Sequence, residues 1–397
     1  MTRVLLLTGK GGVGKTTIAA ATAVSAARSG ARVLLTSTDP AHSLADVLDQ
    51  PLGDQPSVVE PRLLGQQLDA QARLEAHWGD VRAFLVQVLH ATGLGEVQAE
   101  ELMLLPGLDE LFALIDLRAR AESGEHDVIV VDCAPTAETL RLLSLPDALG
   151  WYVDRIAGPG RGLARAMAPM ARAVGGIPVP DEGVLTAVDR LQADLAGVHA
   201  LLQDRTSSSI RLVTNAERVA LDETVRTWTS LALFGYAVDG VVVNKVLPDA
   251  VTDPWLAQWK QRHAEHLATA ERSFAPVPVL TSHLTRDEPI GADALAAVAD
   301  ACYGDLDPVA VLHDDPGTTV AASDDGWVLR MALPFASRDE VDLARRGADL
   351  HVRAGTAHRT VPLPARLRRC TVTGAAMRDG VLEIRFADTA PSPAGVS

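Results

Sequence analysis

Residues Gly9-Lys10-Gly11-Gly12-Val13-Gly14-Lys15-Thr16-Thr17 stand between an apolar run, Val4-Leu5-Leu6-Leu7, and a stretch of small helix-forming residues from Ile18 to Arg28. Strand, glycine-rich turn and helix in that order are the setting of a phosphate-binding loop. Glycines let such a loop wind tightly, so that successive backbone N–H groups converge on one point. The helix that follows adds unpaired N–H groups and the positive end of its dipole. Lys15 is placed to reach β- and γ-phosphates, and the Thr16 hydroxyl to ligate Mg²⁺. The expectation is a nucleotide-binding protein in which Gly9, Gly11, Gly12, Val13, Gly14, Lys15, Thr16 and Thr17 line the phosphates.

Lysine usage sharpens that reading. The chain holds four lysines, Lys10, Lys15, Lys245 and Lys260, among 36 basic residues, so arginine is otherwise preferred. A compact ammonium fits a phosphate cradle where a planar guanidinium does not. Lys10 stands out, because an ordinary phosphate loop needs no lysine there.

At 397 residues and 47% apolar content, the chain has room for one large domain and a smaller one. A net charge of −15 argues against nucleic acid and anionic membrane surfaces as partners. The first strand starts almost at Met1, no apolar run is long enough to span a bilayer, and Cys133, Cys302 and Cys370 form no CxxC pair. A cytoplasmic protein without a disulfide framework or a chain-local zinc site is expected.

Short apolar runs recur at Val4–Leu7, Val33–Leu35, Val128–Val131, Ile210–Val213, Val241–Val243 and Val277–Leu280. Continuous runs mark strands buried on both faces of a parallel sheet. With helical stretches between them, such as Leu221–Leu233 and Pro254–Ala270, they predict a doubly wound, mostly parallel α/β fold. Two helical insertions are expected at about 73–120 and 155–205 within a domain of residues 1–304; in the second, Val184, Val188, Leu191, Leu195, Val198 and Leu202 form an amphipathic stripe. A Gly/Asp/Pro-rich linker, 305–317, leads to alternating strands over 318–388, with Trp327, Leu329, Met331 and Leu333 and then Leu382, Ile384 and Phe386 on one face. The tail, 389–397, is expected to be disordered.

Thr38-Asp39-Pro40-Ala41-His42-Ser43 follows the second strand at the edge where open α/β sheets bind ligands. Asp39 there either orients a water attacking the γ-phosphate or caps the next helix. Val128-Ile129-Val130-Val131-Asp132 ends a buried strand in a carboxylate, the common carrier of a Mg²⁺-associated acid, although many buried strands end this way.

Ser37–Leu44 (STDPAHSL) and Asp132–Leu143 (DCAPTAETLRLL) resemble the two switch segments of ArsA and of the ATPase that guides tail-anchored proteins to membranes. PGLDEL at 106–111, VVNKVLP at 242–248, and PVL followed by EPIGADAL extend the resemblance over residues 1 to 304. Lys10 is similar to the extra lysine of the deviant phosphate loop that this family shares with nitrogenase iron protein and the Min and Par ATPases. The resemblance implies a homodimer meeting through the nucleotide face, with Lys10 reaching the partner's nucleotide. It also implies ATP and Mg²⁺ as cofactors, Asp39 as the water-activating residue, Thr16 and Asp132 at the metal, and Asn244 and Pro278 at the adenine. The targeting branch further implies hydrophobic client polypeptides gripped by the helical insertions, a role that Met103, Met167 and Met170 would suit, and leaves a membrane receptor open. Departures are Cys133, Ala137 and Glu138 in a segment that reads DTAPTGHT in the family, and missing zinc cysteines. Clustered thiolates for arsenite are also absent, and there is one copy where ArsA fuses two. Asp379–Phe386 (DGVLEIRF), preceded by Val361–Pro364 (VPLP), resembles the α-crystallin sandwich of some ArsA-like ATPases. Rival readings are a Par/Min-like positioning ATPase, a holdase chaperone and an arsenite-pump subunit.

Overall fold

The computed structural model describes residues 2–39, 43–68, 108–133, 182–315 and 317–388, with the side chains of 108–112, 182–189 and 191–192 left aside. The helical stretch expected before Leu105, the segment holding Met167 and Met170, residues His42 and Glu138, and the tail fall outside the described residues. The chain divides into two compact units, Met1–Leu7, Lys15–Ser208 and Asp287–Val309 in one, Thr8–Gly14, Ser209–Arg286 and Ala310–Ser397 in the other.

In the first unit, strands β1 (Arg3–Thr8), β2 (Val33–Ser37), β3 (Ser57–Glu60), β4 (Leu63–Gln67) and β5 (Val128–Asp132) lie in the order β3-β4-β2-β5-β1. All are parallel to their neighbours except β3, which runs antiparallel to β4. Every residue of β2 and β5 is buried, as unbroken apolar runs require when helices cover both faces. Helix α1 (Lys15–Arg28) buries Ala19, Ala20, Ala21, Ala23, Ala26 and Ala27. These small side chains let it lie close to β2 and β5 and to α7 (Ala292–Tyr303), where the Thr22 and Tyr303 hydroxyls meet at 2.7 Å. Helices α2 (Ser43–Leu48), α3 (Leu108–Ser123) and α4 (Glu182–Gln203) also lie in this unit, and α4 buries Leu195, Val198 and Leu202 of the expected stripe. Strands β3 and β4 escape the apolar-run criterion. The second half of β4 is Gly-Gln-Gln, and its buried Gln66 is stabilised by donating to Asp54 O at 2.7 Å.

In the second unit, β6 (Ser208–Asn215), β7 (Val238–Val246) and β8 (Val279–His283) run parallel in sequence order. Strand β8 starts two residues later than the apolar run Val277–Leu280, because Pro276 and Pro278 have no N–H to give a ladder. Fully buried Arg211 on β6 pairs with fully buried Asp239 on β7 at 3.0 Å, and its guanidinium also donates to Ala310 O. Helices α5 (Arg218–Leu233) and α6 (Pro254–Phe274) pack on β7, with α6 also on β8. Helix α6 is started by Asp253, whose carboxylate accepts from Trp255 N at 2.8 Å, with Pro254 fixing the first turn.

The C-terminal strands of this unit form two antiparallel sheets. One is β14 (Cys370–Arg378), β15 (Val381–Asp388), β10 (Gly326–Ala332) and β9 (Thr319–Ser323); the other is β11 (Val341–Arg346), β12 (Asp349–Ala354) and β13 (Ala357–Pro362). Leu329, Met331, Leu350, Val352, Leu382, Ile384 and Phe386 form the shared core, joined by Leu367 of the short α8 (Ala365–Arg368). Strand β14 has a bulge between Val372 and Gly374, and its small residues Gly374, Ala375 and Ala376 give little apolar contrast. Leu233, the last residue of α5, is part of that core.

Candidate functional site

Lys15, Thr16, Ser37, Asp39 and Asp132 lie in the first unit. Lys15 opens α1 and is buried, while Thr16 and Thr17 beside it are half-buried. Parallel pairing sets Leu7 of β1 and Ser37 of β2 against Asp132 of β5. The ends of three neighbouring strands thus gather around one carboxylate. Asp132 Oδ2 accepts from Thr16 Oγ1 at 2.8 Å and from Ser37 Oγ at 3.3 Å, and Thr16 Oγ1 also lies 3.2 Å from Ser43 Oγ. Asp132 Oδ1 is buried without a hydrogen-bond partner among the described residues. Burial raises the Asp132 carboxyl to about 6, helped by the charge of Asp39 and opposed by Thr16, Lys15 and Ser37. A buried oxygen with no donor, on a carboxyl whose ionisation is suppressed by burial, fits a divalent cation, which supplies the missing positive charge.

Asp39 is anchored at the same edge, its backbone N–H donating to Ser37 Oγ at 3.1 Å while Thr38 N donates to Asp132 O at 2.9 Å. Ser37 therefore touches both the segment bearing Asp39 and the buried carboxylate. Motif spacing alone assigns Ser37 and Ser43 no role, although both stand inside the STDPAHS segment. Cys133 is 1% exposed, and burial pushes its thiol up out of the reactive range. It acts as packing.

The glycine loop and its supports lie in the second unit. A side chain at Gly9 would place Cβ 2.0 Å from the Val213 carbonyl oxygen, so only glycine lets the loop pass so close to β6. Gly12 and Gly14 have φ of +84° and +90°, the left-handed turn that a phosphate cradle needs. Two residues at the end of β7 hold the loop: Asn244 Nδ2 donates to Val13 O at 2.9 Å, and Lys245 Nζ donates to Gly12 O at 2.8 Å. Lys245 does so with φ of 59°, a conformation that a non-glycine residue adopts only when its surroundings enforce it. Lys10 lies 3.9 Å from Glu223 on α5, both partly exposed.

Pro278 is not beside Asn244. Its carbonyl accepts from Val241 N, and Val241 pairs with Val279, so Asn244 stands three residues further along the sheet, about 10 Å at strand rise. The residues level with Asn244 are those at the far end of β8, near His283 and Leu284, whose N–H donates to Val246 O. Strand register carries that information, and an apolar run read as beginning at Val277 hid it. Among the described residues no cluster of three or more His, Cys, Asp or Glu could bind a metal, and no helix is long and apolar enough to cross a membrane.

A glycine loop wound between a buried strand and an alanine-rich helix, with a threonine bonded to a strand-end aspartate, defines a phosphate-loop nucleotide hydrolase. The family model for anion-transporting ATPases, ArsA, matches residues 2–304, and that for the HSP20-like domain found in ArsA matches 324–386. The chain belongs to the ArsA ATPase family, and membership implies ATP hydrolysis. It is 35% identical over 387 residues to a protein of Prosthecochloris vibrioformis named "Putative arsenical pump-driving ATPase", covering 97% of this chain and 96% of that one. It is 34% identical over 376 residues to a protein with a similar name in Aquifex aeolicus, covering 92% and 95%. An uncharacterized protein of Streptomyces coelicolor is 39% identical over 386 residues, covering 97% of each chain.

Proposed function

We propose that the chain is a Mg²⁺-dependent, homodimeric ATPase whose nucleotide cycle opens and closes a hydrophobic site for client polypeptide segments. The observation that carries the nucleotide part is the Thr16–Asp132 hydrogen bond beside an unpartnered, buried Asp132 oxygen. Thr16 and Asp132 would hold the cation, whose charge offsets the negative charge developing during phosphoryl transfer. The backbone N–H groups of the loop and Lys15 bind and orient the phosphates. Asp39, fixed through Ser37, holds the attacking water and takes its proton. Asn244 spends its amide on Val13 and keeps acceptor capacity at Oδ1 for an exocyclic amine such as that of adenine. Lys10 meets the partner's nucleotide when two protomers close. The client role rests on resemblance to the targeting branch.

Lys15→Ala and Asp39→Asn should each lower ATP turnover about a hundredfold or more, measured as phosphate release. Wild-type turnover in both variants overturns the assignment. Polypeptides trapped by the Asp39→Asn protein in its host decide the client role: apolar helical segments support it, and their absence removes it.

The names of the two arsenical relatives favour a second reading, an anion-pump subunit. Cys133, Cys302 and Cys370 are each buried and none is bonded to another, which leaves no exposed thiolate cluster for As(III) among the described residues. Arsenite that raises ATP turnover would establish this reading; unaltered turnover rejects it.

A further inference from the structure

Helix α5 carries features that the nucleotide chemistry does not use. Glu223, in its second turn, places Oε2 3.9 Å from the ammonium of Lys10. The far end of the same helix is built into the C-terminal sandwich: Leu233 lies in the sandwich core, and Arg359 Nη1 caps its carbonyl at 2.8 Å. One turn earlier Thr229 Oγ1 donates to Pro334 O, and Trp228 meets Phe335 edge-on at 5.5 Å. Glu223 is therefore mounted on a helix that cannot swing freely, at the one glycine-loop position whose lysine an ordinary phosphate loop does not need.

We propose that Glu223 is a positioning residue for Lys10, holding the ammonium within its own subunit until a second protomer's triphosphate competes for it. The inference rests on the reading of Lys10 as an intersubunit lysine. Partial exposure of both side chains makes the latch weak, as a releasable latch must be, because a triphosphate with its greater charge then displaces the carboxylate easily. Each closed dimer breaks two such pairs, so the latch raises the protein concentration at which the dimer forms. The pairing also accounts for a carboxylate standing so near a phosphate loop, where it would otherwise only repel the nucleotide.

The test compares the full-length wild type with Glu223→Gln, which keeps the shape and removes the charge. In the nucleotide-free protein, acylation of Lys10 by an amine-reactive ester, followed by peptide mapping and scaled to Lys260, should be at least twofold faster in the variant. With Mg²⁺ and a non-hydrolysable ATP mimic, the dimerisation midpoint in sedimentation should fall about two- to tenfold, from two exposed ion pairs per dimer. Equal Lys10 labelling in the two proteins overturns the proposal, and so does faster labelling with an unmoved midpoint. A wild type that stays monomeric with the mimic at every concentration overturns the intersubunit reading instead, whatever Lys10 labelling shows.

Discussion

Gly9 shows how a single missing carbon can decide a site. The Val213 carbonyl occupies the place of its Cβ at 2.0 Å, and backbone cannot rotate away as a side chain can. Gly9→Ala should therefore destabilise the protein by about 2 kcal/mol and weaken nucleotide binding as the loop is pushed off β6; denaturant midpoints and a nucleotide titration check both. His126 makes a different residue-level prediction. Burial holds it below its ordinary value, with the charge of Glu125 opposing, and its Nε2 has no partner among the described residues. The unfolded chain then takes up a proton at about pH 6.5 while the fold still resists it. The contribution of His126 to stability should fall as pH drops through about 6.5, the loss ending once the folded histidine itself protonates. His126→Leu should flatten that dependence, read as the difference between denaturation midpoints at about pH 7.5 and about pH 5.5, on either side of the ordinary histidine value.

At the scale of elements, the loop between β10 and β11 seats the sandwich on α5 and α6. Phe335 packs edge-on against Trp228 and against Phe274 at 5.8 Å, while its own backbone has φ of 65°. Phe335→Ala loses the rings and keeps the strained backbone; Phe335→Gly loses the rings and relieves it. The glycine variant should be the more stable of the two by about 1 kcal/mol, a comparison that thermal melts can make. Elements built from unbroken apolar runs were legible from sequence, as β1, β2, β5, β6 and β7 show. So was α4, in which Leu195, Val198 and Leu202 of the stripe are buried. Strand β4 was not, because its buried glutamines look like loop residues until Asp54 supplies a partner. Strand β14 was not, because Gly374, Ala375 and Ala376 offer little contrast between apolar and polar positions. Within the site, Lys15, Thr16 and Asp132 follow from the loop and the strand-end pattern, and Asn244 from the family resemblance. Ser37 needs the β2–β5 register, and so does the offset of Pro278 need that of β7 and β8, which sets it level with Val241 and not with Asn244.

At the scale of the whole chain, the C-terminal strands are more than an appended β-module. Leu233, Trp228 and Phe274 come from the ATPase portion, and the sandwich covers all three. A chain ending at 317 should melt at lower temperature than the full protein and bind more of a hydrophobic dye, since these side chains meet water. The same loss should show as aggregation on mild heating.

Because a leucine from the preceding helix completes the interior of the sandwich, the module has no self-sufficient outline. Grafted alone onto another carrier, residues 318–388 would arrive with a hole in their heart, and any donor gene that transfers them must bring the end of that helix along.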